Sequence, residues 1–301
     1  MPLAELRDLV LRHEASGAAL PSGVLVSRVT SGPQEISMTG TVLAVVAQGE
    51  KTLALGDRQL RYAAGQYLVA SLDLPVSGRW TRASREEPAL GFGLVIRPAL
   101  VAELLLNPAA REFPRHRRGA SAPSALAVCD APPELVDAAV RMLRLVDRPR
   151  DIPVLAPLVE REILWRLIAG PQGETVRQLG LADSSLSNVG RAVQWIRDHY
   201  DQAVRVDDLA EIASMSPSAF HRSFAAVTAM SPIQFQKRIR LQEARLRLLA
   251  DPRDVAGAGH AVGYESASQF SREYRRLFGL PPGRDATRMR SAEYAGARLG
   301  P

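Results

Sequence analysis

The chain of 301 residues has one cysteine and five histidines. A single cysteine, Cys129, excludes an internal disulfide and is typical of a reducing compartment. Only two histidines precede residue 170, and neither falls on a predicted strand, so we expect no metal site and no metal-dependent chemistry in that region. A lone cysteine is most often a small buried hydrophobe, although an exposed thiol with a lowered pKa could act as a redox sensor.

Long apolar runs are also missing. No stretch approaches the roughly 18 apolar residues that a membrane span needs. The segment from Leu6 to Leu11 is interrupted by Arg7 and Asp8, which argues against a secretory signal. The sequence therefore predicts a cytoplasmic protein without membrane contact.

The positive charge of the chain is unevenly distributed. The net charge is +6, and residues 187–301 hold 17 Lys and Arg against 12 Asp and Glu. Nearly all basic residues are arginines, since the only lysines are Lys51 and Lys237. A basic, arginine-rich segment attracts phosphate backbones and can hold guanine through two parallel hydrogen bonds.

Residues 20–96 read as short β-rich runs separated by Gly and Asp. Strands at this spacing, with no helices between them, predict an antiparallel sandwich or barrel. Helices are predicted at residues 2–15, 98–106, 134–146 and 154–168, and the Gly170-Pro171 break begins a predicted linker over 171–186. The predicted strands are Val24–Val29, Thr41–Val46, Lys51–Leu55, Gln59–Tyr62, Tyr67–Leu72 and Phe92–Ile96.

One structural unit occurs twice in the last third of the chain. Phe220-His221-Arg222-Ser223-Phe224 and Met230-Ser231-Pro232 return fifty positions later as Phe270-Ser271-Arg272-Glu273-Tyr274 and Leu280-Pro281-Pro282. Each copy reads as two short helices joined by a tight turn, the helix-turn-helix pattern. Two such units in a basic segment indicate a protein that binds double-stranded DNA.

The second helix of each unit has one apolar and one polar face. The apolar stripes are Phe220, Phe224 and Val227 in the first copy and Phe270, Tyr274 and Leu277 in the second. These stripes predict that the opposite residues face the DNA. The candidate DNA-binding residues are Ser218, His221, Arg222, Ser268, Gln269, Arg272, Arg275 and Arg276.

The candidate residues suit different parts of a DNA duplex. Arg222 or Arg272 could hold guanine, and Gln269 could hold adenine. Arg275 and Arg276 lie further along the helix and fit phosphates. The alternative is that the arginines are solvated surface residues or pair with acids of their own unit.

A long helix is predicted between the two units, over Ser231–Leu249. Its ~19 residues span roughly 28 Å at ~1.5 Å per residue. Successive major grooves on one face of DNA are ~34 Å apart. A rigid helix of this length could place both reading helices in neighbouring grooves.

Residues ~187–285 resemble the DNA-binding region of the AraC/XylS transcriptional regulators. The resemblance rests on Val262-Gly263-Tyr264-Glu265-Ser266, on Ser268 to Arg276, on Phe278-Gly279 and on Pro281-Pro282, with a looser match over Leu209 to Pro232. Residues ~10–170 look like the cupin-like N-terminal domain of one AraC subgroup. The resemblance implies that six of the candidates are the family's DNA-reading positions: Ser218, His221 and Arg222 in the first unit, and Ser268, Gln269 and Arg272 in the second. It also implies a bacterial, sequence-specific transcription regulator, gated by a small-molecule effector and without a cofactor.

The resulting prediction is an α+β protein of several parts. Residues 1–170 form a cupin-like β-barrel with flanking helices, 171–186 a linker, 187–285 an all-α domain with two helix-turn-helix units joined by a long helix, and 286–301 a tail. Expected partners are promoter DNA, a small effector, a second copy of the chain and RNA polymerase.

Two other classes were weighed. A DNA-repair alkyl transferase carrying this module would need a reactive cysteine and often zinc, and one cysteine without a CxxC pattern argues against an enzyme. A purely architectural DNA binder would leave the β-rich half of the chain without a purpose.

One segment departs from the family pattern. Gly257-Ala258-Gly259 stands where a bulky aliphatic residue followed by alanine is usual, and glycine costs about 1 kcal/mol relative to alanine inside a helix. The sequence therefore predicts a soft second unit that replacement of Gly257 and Gly259 by alanine would stabilise.

Overall fold

The computed structural model describes residues 2–30, 35–113, 124–182 and 184–297. The chain divides into two compact units. The first comprises Met1–Gly190 together with Ser218–Met230, and the second comprises Arg191–Pro217 together with Ser231–Pro301.

Nine strands of the first unit form two antiparallel sheets in the described part of the chain. The five-stranded sheet has the order β1-β8-β3-β6-β9, and the four-stranded sheet has the order β2-β7-β4-β5. The predicted closed barrel is therefore wrong. The strands are β1 Val24–Val29, β2 Glu35–Met38, β3 Val42–Gln48, β4 Glu50–Leu55, β5 Arg58–Ala63, β6 Gln66–Ala70, β7 Pro75–Arg82, β8 Ala89–Val95 and β9 Leu126–Asp130.

The chain changes sheet between β3 and β4, at Gly49. This residue has a φ of +91°, and a Cβ at this position would lie 2.6 Å from the carbonyl oxygen of Arg82. Only glycine fits both constraints. Because β4 leaves the β3 sheet at this point, its partners become β5 and β7 rather than β3, and the strands separate into two sheets.

All six predicted strands are confirmed, with bounds that differ by a few residues. Three strands were missed. β7 begins with a proline and contains Gly78, both of which weaken a strand pattern. Gly78 is required there because an added Cβ would lie 2.7 Å from a side-chain carbon of Leu53 on the neighbouring strand.

Five α-helices of the described residues between 2 and 182 accompany the sheets. They are α1 Pro2–Ser16, α2 Pro98–Leu105, α3 Pro133–Arg144, α4 Ile152–Ala169 and α5 Gly173–Leu179. The core of this unit combines Leu43, Val69 and Phe92 from the strands with Leu143 and Ile163 from the helices.

Helix α5 lies within residues 171–186, which the sequence predicted to be a linker. Val176 of α5 belongs to the hydrophobic core of the first unit. Gly180, the first residue after α5, packs against the backbone of Ala102 in α2. Residues 173–179 are therefore helical rather than a loose linker, because the Val176 side chain is fully buried.

The rest of the chain is helical, as predicted. The helices are α6 Ser185–Asp198, α7 Val206–Ile212, α8 Pro217–Thr228, α9 Pro232–Ala250, α10 Val255–Ala261, α11 Ala267–Phe278 and α12 Pro282–Ala297. The predicted tail at 286–301 is corrected, since its first residues lie inside α12 and Ala286 is buried in the core of the second unit. Across the described ranges, no helix combines the length and apolar character needed to cross a bilayer.

The glycines of α10 have a packing role. A Cβ at Gly259 would lie 3.0 Å from two ring carbons of Phe270, which is fully buried. A Cβ at Gly257 would lie 2.0 Å from a carboxylate oxygen of Asp254, whose side chain caps α10 by accepting from the Gly257 amide at 2.8 Å. These contacts oppose the expectation that alanine at these positions stabilises the protein.

We predict that Gly259→Ala lowers the free energy of unfolding by about 1 kcal/mol. Overpacking a core costs about 1–3 kcal/mol, which exceeds the ~1 kcal/mol that alanine gains in helix propensity. Chemical denaturation measures the difference. Gly283→Ala in α12 is the matched control, because its Cβ would find its nearest neighbour at an ordinary 3.7 Å. A Gly259→Ala protein as stable as the Gly283→Ala protein would contradict the packing role.

Candidate nucleic-acid interface

Helix α11 is fixed at both ends by its own sequence. The side chain of Ser266 caps the start by accepting from the amide of Gln269 at 3.3 Å. Gly279 ends the helix in the left-handed conformation with a φ of +79° and donates to the carbonyl of Arg275 at 2.8 Å. Ser266 is thus the N-cap of α11.

The predicted apolar stripe of α11 faces the core of the second unit. Phe270 and Tyr274 are fully buried, and Leu277 packs against the same cluster. The rings of Phe270 and Tyr274 also meet edge to face, with their centroids 5.6 Å apart. Because this face is occupied by the core, the opposite face is left to solvent.

The exposed face of α11 is polar and basic. It carries the five candidate residues of the second unit: Ser268, Gln269, Arg272, Arg275 and Arg276. Within the described residues, no side-chain hydrogen bond or ion pair engages the guanidinium groups of Arg272, Arg275 and Arg276. Three positive charges along one helix face suit phosphates and guanine edges.

Glu273 is the main polar anchor of α11. Its carboxylate accepts hydrogen bonds from Lys237 Nζ at 2.8 Å, Tyr264 Oη at 2.8 Å and Gln269 Nε2 at 3.2 Å. Partial burial by itself raises the pKa of Glu273, but these three hydrogen bonds outweigh it and hold the pKa below its ordinary value. The carboxylate therefore ties α11 to α9 and also orients the Gln269 amide.

A second buried carboxylate joins α9, α11 and α12. Asp285 is fully buried and accepts from Arg245 Nε at 2.8 Å, Arg288 Nη2 at 2.8 Å and Tyr274 Oη at 3.0 Å. Sequence reasoning missed both Glu273 and Asp285. Neither stands in an apolar periodic pattern, and their partners lie up to 40 residues away in the chain.

Arg240 connects α9 to the segment that follows α6. Its guanidinium donates to the carbonyls of Tyr200 at 2.6 Å, Gln202 at 2.8 Å and Gly263 at 2.7 Å. The turn before α11 is therefore held from the middle of the long helix α9. Arg240 is thus a structural arginine, unlike those on the exposed face of α11.

Helix α8 repeats the two-faced arrangement of α11. Phe220, Phe224 and Val227 are fully buried, as predicted. The candidate residues Ser218, His221 and Arg222 are exposed on the other side. Residues 218–230 belong to the first compact unit, whereas α11 belongs to the second, so the eight candidates form two separate groups.

Metal coordination has no support in the residues that the structure describes. No group of three or more His, Cys, Asp or Glu side chains there could hold a metal ion. Cys129 is half-buried and pairs with Tyr67 across strands β6 and β9.

Comparison with known families decides the class of the protein. The family model of the AraC-type transcriptional regulator N-terminus matches residues 5–175, more than half of the chain. The chain belongs to the AraC-type transcriptional regulators. In this AraC-type regulator, a helix-turn-helix domain model also matches residues 209–288, which include α8 and α11.

Curated relatives match part of the chain. The transcriptional activator RhaS of Pectobacterium carotovorum is 29% identical over 99 residues, which cover 33% of this chain and 36% of RhaS. RhaS of Escherichia coli strain SE11 is 29% identical over 132 residues, or 44% of this chain and 46% of RhaS. The chain thus spans half or less of the length of these curated relatives.

Solved structures show the same fold over most of the chain. Apo ToxT from Vibrio cholerae strain SCE256 matches with a TM-score of 0.52 and 9% identity, over 89% of this chain and 98% of that chain. Wild-type ToxT with a bound unsaturated fatty acid has the same score and identity, over 89% and 96%. The common fold is an α+β chain with a β-rich N-terminal and a helical C-terminal region.

We predict that Asp285→Asn lowers the free energy of unfolding by about 3 kcal/mol, because it leaves the mostly buried Arg245 guanidinium without its counter-charge. Chemical denaturation of the full chain measures the loss. Glu265→Gln, at an exposed position beside α11, is the control and should change stability by less than about 0.5 kcal/mol. A loss below about 1 kcal/mol for Asp285→Asn would show that the ion pair does not hold the three helices.

Proposed function

We propose that this AraC-type regulator recognises a specific promoter sequence through two helix-turn-helix units, with α8 and α11 as reading helices. In α8 the reading residues are Ser218, His221 and Arg222. In α11 they are Ser268, Gln269, Arg272, Arg275 and Arg276. The first turns of each helix supply the base contacts, and Arg275 and Arg276 supply phosphate contacts.

The observation that supports this proposal most is the exposed face of α11. Three guanidinium groups that have no partner among the described residues lie opposite the fully buried rings of Phe270 and Tyr274, on a helix that Glu273 and Asp285 hold in place. Base reading needs side chains kept in register by a rigid support. A solvated helix with no such role would need neither the buried carboxylates nor the charge excess of the segment.

The length of the helix that lies between the two helix-turn-helix units in the sequence supports the same proposal. Helix α9 has 19 residues and lies between α8 and α10 in the chain. Its length is about 28 Å at ~1.5 Å per residue, close to the ~34 Å between successive major grooves. Its capping box, in which Ser231 and Gln234 bond each other's backbone amides, fixes where the helix begins.

The proposal includes an effector that binds the β-rich first unit and changes promoter occupancy. Support comes from the match of this region to the AraC-type N-terminus and from ToxT, whose structure holds an unsaturated fatty acid. Residues 218–230 also share a compact unit with the sheets. The domain bounds 1–170 and 187–285, a homodimer and a contact with RNA polymerase remain predictions.

Selection of bound sequences from random duplex DNA tests the central part of the proposal. We expect a defined site with two conserved segments about one helical turn apart. Recovery of unrelated sequences, or equal affinity for every duplex at moderate salt, would contradict sequence-specific reading.

We predict that Arg272→Ala weakens binding to the selected site by about 1–3 kcal/mol and relaxes the preference at one base position. The reason is loss of a bidentate contact with a base edge. Titration of the selected duplex and of single-base variants measures both effects. A uniform loss on all sequences would make Arg272 a phosphate contact.

Arg275→Ala is the matched comparison, because it removes the same charge one turn further along α11. We predict that it weakens binding evenly across sequences and lowers the slope of log affinity against log salt by about 1. Measurement at several salt concentrations gives this slope. A change of base preference in Arg275→Ala would contradict the assignment to a phosphate.

A further inference from the structure

The outer face of the four-stranded sheet carries a groove of about 410 Å³. It lies on strands β4, β5 and β7 within the first unit. Besides the edge residue Leu60, its lining is polar, and it consists of Glu50, Thr52, Gln59, Arg61, Arg79 and Thr81.

Strand pairing explains why these side chains meet. Thr52 pairs with Arg61 on one side and with Arg79 on the other, so the three form one row across the sheet. Neighbouring positions Leu53 and Leu55 point to the opposite face and are buried in the core. Two arginines therefore flank a threonine hydroxyl on a rigid surface.

The charges of the row are only partly balanced. Glu50 is buried, and its carboxylate accepts from Arg61 Nη2 at 2.7 Å and Thr81 Oγ1 at 2.5 Å. These hydrogen bonds, from Arg61 first and Thr81 second, hold the pKa of Glu50 below its ordinary value. Arg79 has no hydrogen bond or ion pair with any described residue, so the lining keeps a net charge of one positive unit.

We propose that this groove binds the carboxylate of a small organic acid, held by Arg79 and the hydroxyl of Thr52. A guanidinium fork matches the two oxygens of a carboxylate. One carboxylate also balances the single excess charge of the residues that line the groove.

The same strands make contact with the first reading helix. The turn that joins β4 to β5 contains Gly56, at φ +58°, and a Cβ there would lie 2.5 Å from the carbonyl oxygen of Ala229. Ala229 directly follows α8. Just inside the helix end, the carbonyl of Val227 accepts from the amide of Ala125 at 3.1 Å.

The groove and the end of α8 are thus connected by one two-stranded hairpin. Occupancy of the groove fixes Arg79 on β7 and Thr52 on β4, and the β4–β5 turn carries that constraint to Ala229. This link rests on the proposed function, because it requires α8 to read DNA. It makes an organic acid the effector that changes the DNA affinity of the first reading helix.

Isothermal titration of the full chain with benzoate, succinate and inorganic phosphate, at constant ionic strength, tests the groove. We expect benzoate to bind and Arg79→Ala to weaken it about tenfold. Arg28→Ala, which removes an exposed strand arginine from the other sheet, should leave binding unchanged. No benzoate binding, equal binding by Arg79→Ala, or tighter binding of phosphate than of benzoate would overturn the carboxylate site.

The hairpin link has its own test, with the selected duplex as the DNA. In the unsubstituted protein, benzoate should change DNA affinity by about fivefold or more. Gly56→Asn should still bind benzoate but lose most of this change, because asparagine tolerates a positive φ while its side chain displaces Ala229. Gly40→Asn, at φ +66° with nothing within 4 Å, should behave as the unsubstituted protein.

The possible failures can be told apart. Benzoate binding without any change of DNA affinity, or an undiminished change in Gly56→Asn, would overturn the hairpin link. Loss of all sequence preference in the DNA titrations, with benzoate still bound through Arg79, would overturn the proposed function and not the groove.

Discussion

The interaction on which the interface depends is the anchoring of α11 by two carboxylates. Glu273 holds the helix to Lys237 of α9, and Asp285 holds Tyr274 of α11 to Arg245 of α9. Neither carboxylate pairs with Arg272, Arg275 or Arg276, and these three arginines form no ion pair with any residue that the structure describes. Had these acids paired with the three arginines, they would have neutralised the exposed basic face of α11. The placement of the two carboxylates therefore leaves that face basic.

Local patterns were enough to predict most elements. The alternation from Val24 to Val29 and the Gly56-Asp57 turn each fix a strand or hairpin through neighbouring residues alone. The buried stripes of α8 and α11 follow in the same way from a spacing of three and four residues. Exposure of the eight candidate residues follows from those stripes, whereas their DNA contacts rest on the family resemblance and stay predictions.

Features that depend on distant residues could not be predicted. The separation into two sheets follows from the close approach of Gly49 to the carbonyl oxygen of Arg82. Strand β7 was not predicted because Pro75 and Gly78 weaken its strand pattern in the sequence. The glycines of α10 suggested a soft helix, yet Gly259 makes room for the Phe270 ring. Tertiary packing here overrides helix propensity, and no single-residue scale contains that information.

The central claim is that two helices of this AraC-type regulator read successive major grooves. Methylation interference at guanine N7 on the selected site tests it most directly, because N7 lies in the major groove. The account predicts two clusters of interfering guanines about 10 base pairs apart, with Arg272→Ala removing interference in one cluster only. A single cluster, or interference spread evenly along the duplex, would contradict it.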